Sequence, residues 1–254
     1  MDQKNMTYFE HIAEIRKRLI WILVFFVIAL IGSLFIAEPV IIYLQQREKN
    51  FIIELNAFRL ADPLKVYLQM AFVMATVLTS PVILYHLWAF VSPGLYEKEK
   101  KATLSYIPIA LFLFLIGIAF SYFILFPFVV RFMSNISDHL EVNLVIGINE
   151  YFTFLFQMTL PFGLLFQLPV IILFLTRLGI IDPNLLSRIR KYAYFVLLVI
   201  AALITPPDIF SHLMVSFPLF LLYEISIWLS KLAYRKRQKY IDGIRTEELG
   251  KGVN

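Results

Sequence analysis

Long apolar segments alternate with short polar ones along most of this chain. A helix of about twenty apolar residues is long enough to cross a hydrocarbon core of about 30 Å, and it satisfies its own backbone hydrogen bonds there. The pattern therefore predicts an all-α membrane protein. Its six predicted transmembrane helices cover residues 19–37, 66–90, 103–130, 151–176, 192–204 and 209–230.

Prolines divide and bend the later segments. Pro161 and Pro169 lie inside the fourth segment, where we expect kinks because proline has no backbone N–H to donate. Pro206 and Pro207 separate the fifth helix from the sixth. We expect both of these helices to be short, and the fifth spans only about 20 Å at 1.5 Å per residue. Helices of this length predict a locally thinned bilayer.

Composition excludes several classes of protein. Hydrophobic residues make up 60% of the 254 residues, and the mean hydropathy is +0.77, far above that of a soluble domain. The absence of cysteine excludes disulfides and cysteine metal sites. Because no hydrolase, metalloprotease or nucleotide-binding motif occurs, we expect no enzyme activity and no cofactor. Because the sequence has no convincing internal repeat, the case for an inverted-repeat transporter is weaker.

Basic residues are concentrated on one side of the predicted topology. Of 23 Lys and Arg residues, 18 lie before the first helix, in the loops after the second and fourth, or after the sixth. The positive-inside rule makes this side cytoplasmic and places both termini there. We predict an interfacial helix at 1–18, a membrane domain at 19–230 and a basic cytoplasmic tail at 231–254. The formal charge of +5 reflects this topology, so we expect no nucleic-acid partner.

Two cytoplasmic segments carry carboxylates among these cations. In residues 6–18, apolar side chains recur at three-residue spacing, as in an interfacial helix. Glu14 lies four positions before Arg18 and three before Lys17. The simplest interpretation of Glu14 is therefore a local ion pair worth a few tenths of a kcal/mol.

The second segment, residues 80–101, reads SPVILYHLWAFVSPGLYEKEKK. An apolar helix ends there at Pro93-Gly94 and is followed by five charged residues. Glu97 and Lys101 are four positions apart, so a short solvated helix with internal ion pairs is the simplest interpretation. Aromatic residues precede the charges, and Trp88 at this depth is typical of an interfacial anchor.

Five segments of the chain, taken together, resemble one family. They are FEHIAEIRKRL, SPVILYHLWAFVSPGLYEKEKK, FSYFILFPFVVRF, PFGLLFQLPV and LITPPDIFS. In this order they resemble TatC, the membrane receptor component of the twin-arginine protein translocase, over residues 9–232. The resemblance implies a cupped six-helix fold in the cell membrane. It also implies export of folded proteins by the proton-motive force, with the small partner TatA, often TatB, and self-association.

The resemblance assigns a binding role to the two charged segments. It implies that Glu14 and Glu99 bind the paired arginines of an export signal. The residues that it places around this site are His11, Arg16, Arg18, Phe90, Pro93 and Leu95. A guanidinium is planar and always charged, and it can bond a carboxylate with two parallel donors. Two carboxylates would thus select two adjacent arginines.

Five polar positions in or near the spans are further candidates for partner contact. Gln167 stands where many relatives have glutamate, and Thr205 opens the Thr-Pro-Pro-Asp turn. Asp208 is expected to cap the sixth helix, with partner contact as the alternative. His212 either lies near water or contacts a partner helix. Glu224 is an acid within a span, which indicates function unless it lies close enough to the cytoplasmic face to stay hydrated.

The residues by themselves are also compatible with two other functions. A proton-coupled carrier for a small solute would use Gln167, His212 and Glu224 as its polar path. A passive scaffold for small membrane helices would bind partners without recognising signals. Both differ from a receptor in making no use of Glu14 and Glu99.

Overall fold

The computed structural model describes residues 8–49, 55–91, 104–142, 145–205 and 209–251. Helices account for most of these residues. They are α1 (Tyr8–Lys49), α2 (Asp62–Val91), α3 (Tyr106–Phe120), α4 (Phe126–His139), α5 (Ile148–Leu165), α6 (Leu168–Leu178), α7 (Pro183–Arg188), α8 (Arg190–Ile204) and α9 (Ile209–Lys251). A π-helical turn, Ser121–Leu125, joins α3 to α4, and two short strands are β1 (Leu55–Asn56) and β2 (Ile146–Gly147).

Five helical stretches in the described part of the chain are long and apolar enough to cross a membrane. They are Ile12–Gln46, Asp62–Phe90, Tyr106–His139, Ile148–Leu178 and Ile209–Arg235. These correspond to the first four predicted spans and the sixth. The fifth predicted span is α8, whose 15 residues extend over about 22 Å. The prediction of a short fifth helix is confirmed, whereas a count of six spans stays a prediction.

The prediction of a short sixth helix is wrong. α9 has 43 residues and continues past Ser230 to Lys251, and its apolar part alone has 27 residues. The residues after Ser230 are mainly Lys, Arg, Leu, Ala, Gln and Glu, which favour helix, and no proline follows Pro218 to stop it. The predicted basic tail is therefore a continuation of the last helix. Of the two helices on which the prediction of a thinned bilayer is based, only α8 is short.

Proline placement explains the irregular points of the central helices. α5 continues through Pro161, but the helix breaks at Phe166–Gln167, directly before Pro169 at the second position of α6. The irregularity predicted at Pro169 is thus confirmed as a helix break, whereas a kink at Pro161 stays a prediction. The π-helical turn precedes Pro127, whose ring and missing N–H disturb the helical hydrogen bonds of the preceding turn.

The described chain divides into two compact units, of which the first combines residues 1–111 with 126–160. In this unit α1 packs against α2: the rings of Phe26 and Phe72 meet edge to face at 5.3 Å, and the Tyr67 hydroxyl donates to the Leu34 carbonyl. β1 pairs in parallel with β2, with Leu55 opposite Ile146. This pairing joins two segments that the sequence assigns to outer loops.

The second unit combines residues 112–125 with 161–254. α6 packs against α9, where the hydroxyl oxygens of Thr176 and Ser230 lie 2.7 Å apart in a buried hydrogen bond. α3 approaches α5 closely at Gly117. A side-chain Cβ at this position would lie only 2.8 Å from the backbone oxygen of Phe162. Small residues at such crossings let helix backbones approach each other, as is common in membrane proteins.

Candidate functional site

The candidate site is built on the first four turns of α1, where Glu14 is paired with Arg18. Arg18 Nε donates to Glu14 Oε1 at 3.1 Å, and Arg18 Nη2 donates to the same oxygen. The Glu14 side chain is 20% exposed and that of Arg18 is 23% exposed. The spacing of four residues places both side chains on one face of the helix. The predicted local ion pair is confirmed.

Arg18 also links α1 to the end of α2. Its Nη2 donates to the Ala89 backbone oxygen at 3.0 Å, in the last turn of α2, which ends at Val91. The last carbonyls of a helix have no partner within the helix, and a cation is favoured there by the helix dipole. Arg18 thus fixes the approach of the two helices just before residues 92–103, the segment that contains Glu99.

The second carboxylate oxygen of Glu14 has no hydrogen-bond donor in the described part of the chain. Glu14 Oε2 is shielded from solvent and receives no hydrogen bond from the described residues. A carboxylate can accept several hydrogen bonds, and leaving a buried acceptor unsatisfied costs about 1–3 kcal/mol. The arrangement therefore leaves one shielded acceptor of Glu14 without a donor from the described residues.

The last two turns of α2, which include Ala89, carry a group of aromatic side chains. Phe90 is half-buried and follows Ala89 directly. The ring of Tyr85 lies 6.2 Å from that of Trp88 and 5.5 Å from that of His86, the second contact being edge to face. These side chains lie where a membrane helix ends, as the sequence predicts for aromatic anchors.

The structure brings together only part of the predicted site. Glu14, Arg18 and the α2 end that carries Phe90 are adjacent through the Ala89 contact, and Arg16 is exposed on α1. His11 belongs to α1, but its side chain lies outside the description. Three predicted site residues are outside the described residues altogether: Pro93, Leu95 and Glu99. The juxtaposition of Glu14 with Glu99 accordingly stays a prediction.

A second polar cluster surrounds Glu224 on α9. Arg190 Nη2 donates to Glu224 Oε2 at 2.9 Å, and the Tyr194 hydroxyl donates to Glu224 Oε1. The Glu224 side chain is 40% exposed and that of Arg190 is 41% exposed. Sequence reasoning missed both partners, because they lie 30 and 34 positions away on α8. A half-exposed acid that is paired with the first residue of α8 fits the hydrated alternative better than a buried functional charge.

The other polar candidates lie apart from this cluster. Gln167 is buried between α5 and α6, and the buried Thr205 ends α8 with its hydroxyl donating to the Ala201 oxygen at 3.0 Å. His212 is half-buried in α9. It precedes Glu224 by twelve positions, or about 18 Å of helix. Asp208 lies outside the described residues, so its capping role stays a prediction.

The spans and the paired charges at a helix end define a multi-span helical membrane protein. The family model described as Sec-independent protein translocase protein (TatC) matches residues 10–218. TatCy of Bacillus subtilis strain 168 is 64% identical over 239 residues, which cover 94% of each chain. TatC of Halalkalibacterium halodurans is 58% identical and covers 98% of each chain.

A solved structure agrees with these relatives. The crystal structure of a twin arginine translocase receptor, TatC, superposes with a TM-score of 0.79 and 32% identity, covering 88% of this chain and 99% of that one. The chain belongs to the TatC family. It is therefore a membrane component of the Sec-independent, twin-arginine protein translocase. The resemblance predicted from the five segments is confirmed.

Proposed function

We propose that this chain is the receptor that binds the paired arginines of export signals, with Glu14 and Glu99 as the two carboxylates. The observation that carries the proposal is Glu14 itself. Its carboxylate is held at one oxygen by Arg18, while the other oxygen has no partner in the described chain. A signal guanidinium is a donor of the right charge and shape for that oxygen.

The expected strength follows from the number of contacts. A hydrogen bond to a charged group contributes about 1.5–3 kcal/mol, so loss of one contact weakens binding by about 10- to 100-fold. Loss of both contacts would reach about two to four powers of ten. Glu14 is partly exposed, and screening by solvent puts the value toward the lower end.

The remaining features of the family complete the proposal. Six spans with both termini in the cytoplasm would place Glu14 on the side from which signals arrive. Small TatA- and TatB-type partners would assemble on the membrane helices, with Gln167, Thr205, Asp208 and His212 as candidate contacts. The proton-motive force would then drive export of the folded cargo.

A small-solute carrier is less well supported. Its polar path consists of Gln167, His212 and Glu224, of which His212 and Glu224 are separated by about 18 Å of helix. Glu224 is moreover paired with Arg190 and hydrogen-bonded to Tyr194. Glu224 is thus accounted for by its neighbours, whereas Glu14 keeps an unused acceptor.

The test is binding of a fluorescent export-signal peptide to the full chain in lipid nanodiscs, using a twin-arginine peptide and its twin-lysine version. We expect the wild type to prefer twin arginine. Glu14→Gln and Glu99→Gln should each weaken its binding about 10- to 100-fold. Glu10→Gln and Glu97→Gln remove the same charge four and two positions away, and they serve as matched controls. Equal binding of both peptides by the wild type and all variants would overturn the proposal.

A further inference from the structure

We infer that Arg18 is a specificity-determining residue that positions Glu14, so that the carboxylate presents one acceptor, Oε2, to an incoming arginine. This inference rests on the proposed function because it concerns the same site. Arg18 then does more than lie beside the carboxylate: its guanidinium contacts orient Glu14.

The geometry of the pair is asymmetric. A guanidinium and a carboxylate commonly form two parallel bonds, one to each oxygen. Here Arg18 Nε and Nη2 both donate to Glu14 Oε1, and Nη2 donates further to the Ala89 oxygen. The contact with α2 thus draws the guanidinium to one side of the carboxylate. Oε2 is left without a bond from any described residue.

The anchor on α2 also fixes the orientation of the carboxylate. Two hydrogen bonds reach Oε1 from one rigid guanidinium plane, and the third holds that plane on the Ala89 oxygen. Together with the attachment of the side chain to α1, they restrain the carboxylate and therefore Oε2. A lysine at this position would keep the charge. It would offer a single nitrogen on a flexible stem and would not fix the plane.

Charge is the second consequence of the pair. The side chains of Arg18 and Glu14 are only about one-fifth exposed and are directly paired, so the charge of one largely offsets that of the other. An approaching cation gains little from general attraction and must make a directed bond to Oε2. Without Arg18, Oε1 would lose both donors, and the uncompensated negative charge would attract any cation. Arginine and lysine would then be distinguished less well.

The experiment measures the ratio of dissociation constants for the twin-lysine and twin-arginine peptides on full-length protein in nanodiscs. We expect Arg18→Gln to lower this ratio about tenfold, which corresponds to loss of one directed contact. Arg18→Lys should lower it nearly as far, because the charge alone does not set the carboxylate. Lys17→Gln is the matched control: it removes the same charge from the neighbouring exposed residue and should keep the ratio of the wild type.

A double variant separates positioning from a general effect on the fold. Because Arg18 acts through Glu14, Arg18→Gln should change the ratio no further once Glu14→Gln is present. Thermal melting of each variant checks that it is folded. Independent, multiplicative effects of the two substitutions would overturn the inference, as would an Arg18→Lys ratio equal to that of the wild type.

Failure of this inference can be told apart from failure of the proposed function. If the wild type does not distinguish the two peptides, the proposed function itself is refuted. If the wild type distinguishes them and Glu14→Gln abolishes the distinction, while Arg18→Gln retains the ratio of Lys17→Gln, only the role of Arg18 is refuted.

Discussion

Replacement of Gly117 by alanine should destabilise the second unit, because α3 and α5 leave no room for a methyl group. The new Cβ would lie 2.8 Å from the Phe162 backbone oxygen and 2.8 Å from Cγ of Phe166. The ring of Phe166 can rotate aside, whereas the Phe166 Cβ, at 2.9 Å, and the Phe162 oxygen move only with the backbone. Overpacking of this kind costs about 1–3 kcal/mol, and the better helix propensity of alanine returns up to about 1 kcal/mol. We expect a net loss of about 1–2 kcal/mol.

Gly32→Ala is the matched control for this prediction, since no atom lies within 4 Å of its Cβ position on α1. The assay is loss of the folded, monodisperse species with temperature in one detergent. A loss of 1–2 kcal/mol corresponds to a decrease of about 2–8 °C for a chain of this size. Gly32→Ala should melt at or slightly above the wild-type temperature. If Gly117→Ala melts with Gly32→Ala, the close approach of α3 and α5 is refuted.

Three further substitutions test polar contacts of the second unit in the same melting assay. Ser230→Ala removes one partner of the buried 2.7 Å bond and should cost about 1 kcal/mol. Thr176→Val removes the other partner and also the 2.8 Å bond from the Thr176 hydroxyl to the Ile172 oxygen, so it should cost slightly more. The double variant should cost less than the sum of the two; additive losses would argue against a direct bond. Glu224→Gln removes the ion pair with Arg190 but keeps an acceptor for Tyr194. Because the pair is 40% exposed, we expect less than about 1 kcal/mol and a smaller loss of signal affinity than for Glu14→Gln; a larger loss would support the carrier.

The spans were predictable from sequence because lipid imposes one rule on every segment that crosses it. A backbone in hydrocarbon must bond to itself, so a long apolar segment has to be a helix. Helix ends are less well determined. α1 continues to Lys49 through Pro39, and α9 continues to Lys251. Hydropathy reports where a helix leaves the apolar layer, whereas the helix ends only where propensity or a cap stops it.

Contacts between distant segments were beyond sequence reasoning. Arg18 and Ala89 are 71 positions apart, and the strand pair of Leu55 with Ile146 joins segments that share no motif. A backbone carbonyl is the acceptor in the first case, and every residue has one. No side-chain pattern therefore marks it. The partners of Glu224 on α8 are likewise set by the packing of two helices, and no residue spacing in the sequence marks them.

From sequence, the pairing of Glu14 with Arg18 and the binding of an export signal are alternative interpretations of Glu14, yet the geometry makes them compatible. If Arg18 bonded both oxygens, the signal would have to displace an internal guanidinium and would gain little by exchanging one arginine for another. With both donors on Oε1, Arg18 can keep its bonds to the carboxylate while Oε2 accepts from the signal. The internal pair instead restrains the carboxylate before the signal arrives, so less conformational entropy is lost on binding. A local ion pair that contributes little to folding can thus contribute substantially to recognition.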